Sequence, residues 1–299
     1  MILTLEGGGQ IPGDLIESAV LRSDLAPVPV TLEAVIRTTG TDDLSSMLAE
    51  GRTVTTGLGD VMHIAKTVPT ISAVAAQGDT PVSAVQITAM LDDCKRVSYR
   101  RDRALIKERA TLGAIYRAAG AKVNVDGDFA VPRFSCLVGG TPSFHIAQVL
   151  QEEGGVVRWK KGRLQFFRLV DLFKQSSVMA LPNIDAQDVK SEFLERHEVP
   201  WFFSLDESGS LIYGARETAR SVRFSPFTNA LRLRNMSDPL LVRKVVPRAA
   251  FSSHVCAGDV IDFVGGVPLA VITAAHVFKS GSDGHGRELY SRFWLGGLS

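Results

Sequence analysis

The run from Thr141 to Phe173, TPSFHIAQVLQEEGGVVRWKKGRLQFFRLVDLF, limits the fold more than any other stretch, because it parses into a helix, a stop and a β-hairpin. Thr141 is placed to cap a helix whose first position is Pro142, where a missing N–H costs nothing. Phe144, Ala147 and Leu150 fall on one face of it. Gly154 and Gly155 can take the left-handed conformation that ends it. Val156 to Trp159 then reads as a strand, Lys160, Lys161 and Gly162 as a tight turn, and Arg163 to Val170 as the returning strand, with Leu164 and Phe166 opposite Gln165. The unit has an apolar side and a basic tip. It offers no paired carboxylates, ligand spacing or nucleophile, which leans away from an enzyme.

The 299 residues predict two or three domains, each able to bury its own core. Lys and Arg number 33 against 32 Asp and Glu, so the whole chain has no strong attraction for nucleic acid, and any such role must come from local patches. Three cysteines, Cys94, Cys136 and Cys256, lie far apart and never form a CxxC pair. That argues against a disulfide framework and a cysteine zinc knuckle and favours a reducing compartment. The opening MILTLEGGGQ lacks the base and apolar core of a signal peptide, and no stretch is long and apolar enough for a membrane helix. A soluble protein is expected.

From Ile2 to about Tyr99, short apolar runs (Ile2 to Leu5, Val28 to Val35, Ile71 to Ala76) alternate with Gly, Pro and Asp clusters, as in a small barrel. Val82 to Met90 alternates as a strand buried on one face. Helical interruptions are expected at Asp42 to Glu50 and at Gly59 to Lys66. The run KRVSYRRDRALIKER, Lys95 to Arg109, carries seven basic residues and leads into a short helix from Thr111 to Ala119, ended by Gly120. It reads either as a positive surface for a polyanion or acidic partner, or as an ordinary solvated strand and helix entrance. A turn at Asn124 to Asp128 and a strand at Phe134 to Val138 follow.

Beyond Phe173, Gln175 to Val189 reads as an irregular connection, and Gln187 to Glu198 as a helix. Trp201 to Leu205 and Leu211 to Tyr213 form a second hairpin with an acidic loop. Ala215 to Asn235 is again basic, and Leu231 and Leu233 alternate with Arg232 and Arg234 as on a strand. From about Leu241 a second barrel is expected. It uses strands Val260 to Val264, Pro268 to Phe278 and Glu288 to Leu295, with a flexible loop at Gly281 to Gly286.

Six histidines, His63, His145, His197, His254, His276 and His285, show no i, i+4 pair and no HExxH. His254 and Cys256 would share a strand face, yet a buried thiol beside an imidazole is the commoner outcome. No GxSxG supports a hydrolase, although His with Ser or Cys is compositionally open. Gly7 to Gly9 and Gly57 to Asp60 match neither phosphate-loop pattern and read as turns. Asp42 with Asp43, and Asp92 with Asp93, read as solvated acids. No cofactor or metal is expected.

The order of elements resembles the tail hub or baseplate hub proteins of tailed bacteriophages, the late control protein D family, related to the hub part of type VI secretion spikes. TPSFHIAQVLQEEGGVVRWKKGRLQFF is similar to that family's helix, glycine, strand, basic-glycine turn, strand order. AGDVIDFVGG and VPLAVITAAHVFKSG are similar to its glycine turn, strand, and strand ending near a histidine, here His276. The resemblance implies an α+β, β-rich chain in which two small tube-protein-like β-barrels flank an α/β middle region with helix-hairpin units. The expected boundaries are 1–105 for the first barrel, 106–175 for the helix-hairpin domain, 176–214 for a connecting helix and hairpin, and 215–299 for the second barrel.

It further implies a non-enzymatic structural protein of the virion tail tip, assembled in the host cytoplasm as a homotrimeric pseudo-sixfold ring between a hexameric tail tube and a trimeric central spike protein. Tape measure protein and DNA passing through the lumen are further expected partners. The alternatives are a hydrolase-type enzyme and the equivalent hub of a contractile secretion particle. The basic residues expected to face partners are Lys95, Arg96, Arg100, Arg101, Arg103, Lys160, Lys161, Arg163, Arg232 and Arg234.

Overall fold

Period-two alternation dominates the chain and decides which face each strand buries. β1 (Leu3–Leu5), β2 (Ile16–Asp24), β3 (Val30–Arg37), β4 (Thr53–Thr56), β5 (Val61–Gln77) and β6 (Thr80–Leu91) make the first part. β3, VTLEAVIR, buries Val30, Leu32, Ala34 and Ile36 and turns the intervening residues outward. β6 buries Val85, Ile87 and Ala89 and exposes Gln86 and Thr88, the one-sided pattern its sequence predicts. The computed structural model describes residues 2–298 except 39–43, 78–79, 183–185, 190–199, 216–220, 227, 238–239, 264–265 and 282–285; of 72–77 and 80–81 it describes the backbone alone. Of the expected helix from Gln187 to Glu198 only Gln187 to Val189 are described, and there Gln187–Asp188 is a short strand, drawn out by pairing with Lys244 and Val245, not a helix; most of the Gly281 to Gly286 loop, Asp42, Asp43, His197 and His285 lie outside the described residues.

The middle runs through β7 (Leu105–Thr111), α2 (Leu112–Ala118), β8 (Val125–Asp126), β9 (Ala130–Cys136), α3 (Pro142–Glu152), β10 (Gly155–Lys160), β11 (Arg163–Arg168) and α4 (Leu169–Leu172). β12 (Met179–Leu181), β13 (Gln187–Asp188), β14 (Trp201–Leu205), β15 (Leu211–Tyr213), β16 (Val222–Phe224) and α5 (Ala230–Ser237) lead into β17 (Leu240–Ala250), β18 (Val260–Phe263), β19 (Leu269–Lys279) and β20 (Glu288–Leu298). Before β5 lies a single turn of helix, α1 (Leu44–Met47), and after β6 a 3-10 helix over Asp92–Ser98.

Strands from both ends of the chain share one twelve-stranded sheet, in the order β1-β4-β5-β6-β3-β2-β19-β20-β17-β13, with β18 against β19 and β12 parallel to β18. β19 is the seam. Its first residues pair with β18, Ala270 opposite Val260, and its later residues pair with β2, from Thr273 opposite Asp24 to Lys279 opposite Ser18. The switch falls at Ile272, whose carbonyl accepts from Leu25 N at 3.2 Å, next to the register shift between Val271 and Thr273. Two apolar cores lie against this sheet. One continues from the first strands into α2, α3 and the β10–β11 hairpin; the other, around Val246, Ile261, Val271 and Phe293, lies beneath the last strands.

Several expectations need correction. Gly59 to Lys66 is a turn and the start of β5, not a helix, because Met62 and Ile64 are both buried at period two between β4 and β6. Leu231 to Arg234 is helical, not extended: Asn229 Oδ1 accepts from Arg232 N at 3.0 Å, and Leu233, Met236 and Ser237 form the buried stripe. On α3 the buried face is Ile146, Val149 and Leu150, while Phe144 is 63% exposed and Ala147 also faces solvent. Thr141 holds the N-cap position without a side-chain cap bond. Within Gln175 to Val189, Met179–Leu181 is ordered as a strand by pairing with β18.

Candidate assembly surface

The β10–β11 hairpin turns on Lys161 and Gly162, at φ 53° and 74°, the double left-handed geometry of a two-residue hairpin loop. This rigid tip packs against both halves of the sheet. Trp159 Nε1 donates to Asp60 Oδ1 at 2.7 Å, which ties it to the β4–β5 turn. On the other side, Arg158 donates at 3.0 Å to Gly258 O and at 3.0 Å to Asp259 Oδ1, and its Nε reaches Gln165 Oε1 at 2.9 Å. Lys160 bonds the same Asp259 oxygen. Asp259 is 2% exposed, and its second oxygen accepts from Cys256 N at 3.1 Å. Ala257 N donates to Ser23 Oγ on β2 at 2.9 Å. Helix-hairpin, first strands and last strands thus meet around one buried carboxylate.

Beside it lies a cleft of about 450 Å³ lined by Leu21, Arg22, Leu58, Trp159, Lys161 and His254 among others. Burial pushes the Asp60 carboxyl upward, against the bond from Trp159, and pushes the Cys256 thiol up to about 12. Arg22, Lys161 and His254 are exposed at the mouth. No group of three or more metal-ligating side chains occurs among the described residues.

The ten basic candidates differ in their surroundings. Lys95 is held by Asp92 at 2.7 Å, Arg163 lies 3.6 Å from Asp126, and Arg232 bonds Glu153, the C-cap of α3. Arg101 donates to Ala119 O at 3.3 Å. Lys160 does not point outward as its place in the turn predicts, because Asp259 captures it. Arg96, Arg100, Arg103, Lys161 and Arg234 are exposed with no acidic partner among the described residues. Asp259 carried no sequence signal for this junction: it sat in an ordinary glycine turn, and its cations lie about a hundred residues away.

His276 Nδ1 lies 2.9 Å from Ser291 Oγ, the spacing of a base and a nucleophile, and its Nε2 lies 3.0 Å from Val255 O. The Val255 carbonyl requires a proton on Nε2, so Nδ1 accepts from Ser291. Ser291 is fully buried and also accepts from Ser252 N at 2.9 Å. The pair links β19 to β20, and the group behind the imidazole is the Val255 carbonyl, with no carboxylate there among the described residues, so it lends the hydrolase alternative no support.

No family model and no curated protein matches the sequence. Among solved structures, the 43 kDa tail protein of prophage MuSo2 from Shewanella oneidensis superposes with a TM-score of 0.66 at 12% identity, over 98% of this chain and 97% of that one. The chain has the fold of phage tail proteins. The tail protein from Neisseria meningitidis MC58 matches at TM-score 0.60 and 10% identity, over 99% and 95% of the two chains. Prophage tail protein gp18 from Listeria monocytogenes EGD-e matches at 0.55 and 12%, over 99% and 93%. A chain of the Francisella PdpA–VgrG complex matches at 0.56 and 8%, with 96% of this chain spanning 49% of that one. The β-rich content of the chain agrees with that fold.

Proposed function

We propose that this chain is a non-enzymatic tail hub protein, a homotrimer whose two sheet halves present six tube-like units to a hexameric tail tube and whose opposite side receives a trimeric central spike protein. The observation that carries this reading is β19. One strand joins a first set of strands to a last set edge to edge, so each copy supplies two β-units, and three copies supply six. Likeness over nearly the whole length of three tail proteins supports the same role. On this reading the two halves are the two barrels, with 106–175 and 176–214 as the segments between them.

The exposed cations Arg96, Arg100 and Arg103 then face an acidic neighbour, whether tube, tape measure protein or DNA in the lumen. Sedimentation and negative-stain imaging of the purified protein test the proposal. A threefold ring of three times the 32.3 kDa chain is expected; a monomer at all concentrations overturns it. The likeness to a chain of the PdpA–VgrG complex favours, as a second reading, the equivalent hub of a contractile secretion particle.

A further inference from the structure

Two surfaces of this chain carry opposite chemistry. The first is the cleft beside the hairpin tip, where Arg22 and Lys161 have no acidic partner among the described residues. The acids near it are committed, Asp60 to Trp159 and Asp259 to two cations. Its walls include Leu58, which is 53% exposed. The second is the β14–β15 turn. Asp206 Oδ1 accepts from Ser208 N at 2.9 Å, Ser208 Oγ at 2.7 Å and Ser210 N at 2.8 Å, so the turn is pre-formed. The Ser208 hydroxyl bond and the backbone amides hold the Asp206 carboxyl below the usual carboxylate range. Glu207 beside it is exposed with no cation partner among the described residues, and Leu205 and Leu211, paired across the strands, are about half exposed.

We propose that the acidic β14–β15 turn of one copy seats in the basic cleft of the next, with Glu207 against Lys161 and Arg22 and the two leucines against Leu58. Within one chain, β14 and β15 pack chiefly on each other, on β16 and on α5, not on the strands that line the cleft. Two free cations in an apolar-walled pocket suit one acidic knob better than the extended row of phosphates in a nucleic acid. The volume lies in the range of pockets that enclose a ligand. Because unlike surfaces meet, the contact is head-to-tail, and a rotation that closes makes a ring. The inference rests on the hub reading for the number of copies.

The test compares wild type, Arg22→Glu/Lys161→Glu, Glu207→Lys, and the chain carrying all three changes, by sedimentation velocity at 0.15 M salt, with circular dichroism to verify folding and duplex DNA as a separate probe. Each half-variant is expected to associate at least tenfold more weakly, and the charge-swapped chain to regain the wild-type species. Rings that persist in both half-variants overturn the inference and leave the hub reading standing. So does loss of association without recovery in the swapped chain, or a cleft variant that loses only DNA binding. A wild-type monomer overturns both.

Discussion

Arg158 and Asp259, 101 residues apart, meet at 3.0 Å with the guanidinium 8% and the carboxylate 2% exposed, joining the central hairpin to the last strands. Asp259→Ala leaves Arg158 buried beside a second cation, Lys160, with no acid to offset them. A loss of about 3–5 kcal/mol is expected, measurable as a lower urea midpoint. Arg158→Met should cost less than Asp259→Ala, because Lys160 still pairs the carboxylate. Equal, small losses would remove Asp259 as the organising group of the junction.

Charge reversal at the hairpin tip should separate its two lysines. Lys160→Glu sets a second acid against buried Asp259 and is expected to lower the thermal midpoint, whereas Lys161→Glu, on an exposed side chain, should change stability by about 0.5 kcal/mol or less. Similar melting curves for the two would contradict the placement of Lys160.

Gly155 and Gly162 should respond differently to alanine. A Cβ at Gly155 would lie 2.3 Å from the Phe166 ring and 2.7 Å from Phe167 O, while at Gly162 nothing lies within 4 Å and only the positive φ opposes it. Expected losses are about 1–3 kcal/mol or more for Gly155→Ala and about 1 kcal/mol for Gly162→Ala. Chemical denaturation of the two variants ranks them.

His276 is held neutral. Burial, together with nearby His254, lowers its affinity for a proton, against the raising effect of its bond to Val255 O. The unfolded chain therefore binds this proton more readily than the folded one. The stabilisation is complete above the ordinary histidine range near pH 6.5 and is lost as pH falls through that range toward the lowered folded value. Thermal midpoints between pH 7.5 and 5 should fall more steeply for wild type than for His276→Gln. Parallel slopes would contradict this.

Burial pushes the Cys94 and Cys256 thiols up to about 12, so little of either is thiolate at pH 8. Thiol-reactive dye should label neither in the native protein within minutes and both at once in denaturant. Rapid native labelling of Cys94, which is fully buried, would show that its surroundings open.

Local signals carried much of the chain. Alternation placed β6, a short apolar run marked β3, a threonine and a glycine bounded α2, and the Lys-Lys-Gly turn located the hairpin, since each is set by neighbours within a few residues. The misreadings fell where two periods fit equally well. Leu231 and Leu233 alternate as a strand would, but only the surface beneath α5 decides that Leu233 and Met236 are the buried pair. Met62 and Ile64 become strand residues because β4 and β6 lie on either side.

The sequence by itself determined a β-rich chain, a helix-hairpin unit near its middle and basic residues scattered on both sides of it, because turn chemistry and side-chain period are local properties. Only the tertiary structure decided that β2 and β19 pair, so that the two ends of the chain form one sheet, and that Asp259 takes up Arg158 and Lys160. Strand partners and buried ion pairs depend on which distant surfaces remain uncovered after local folding. Neither leaves a mark in residue spacing.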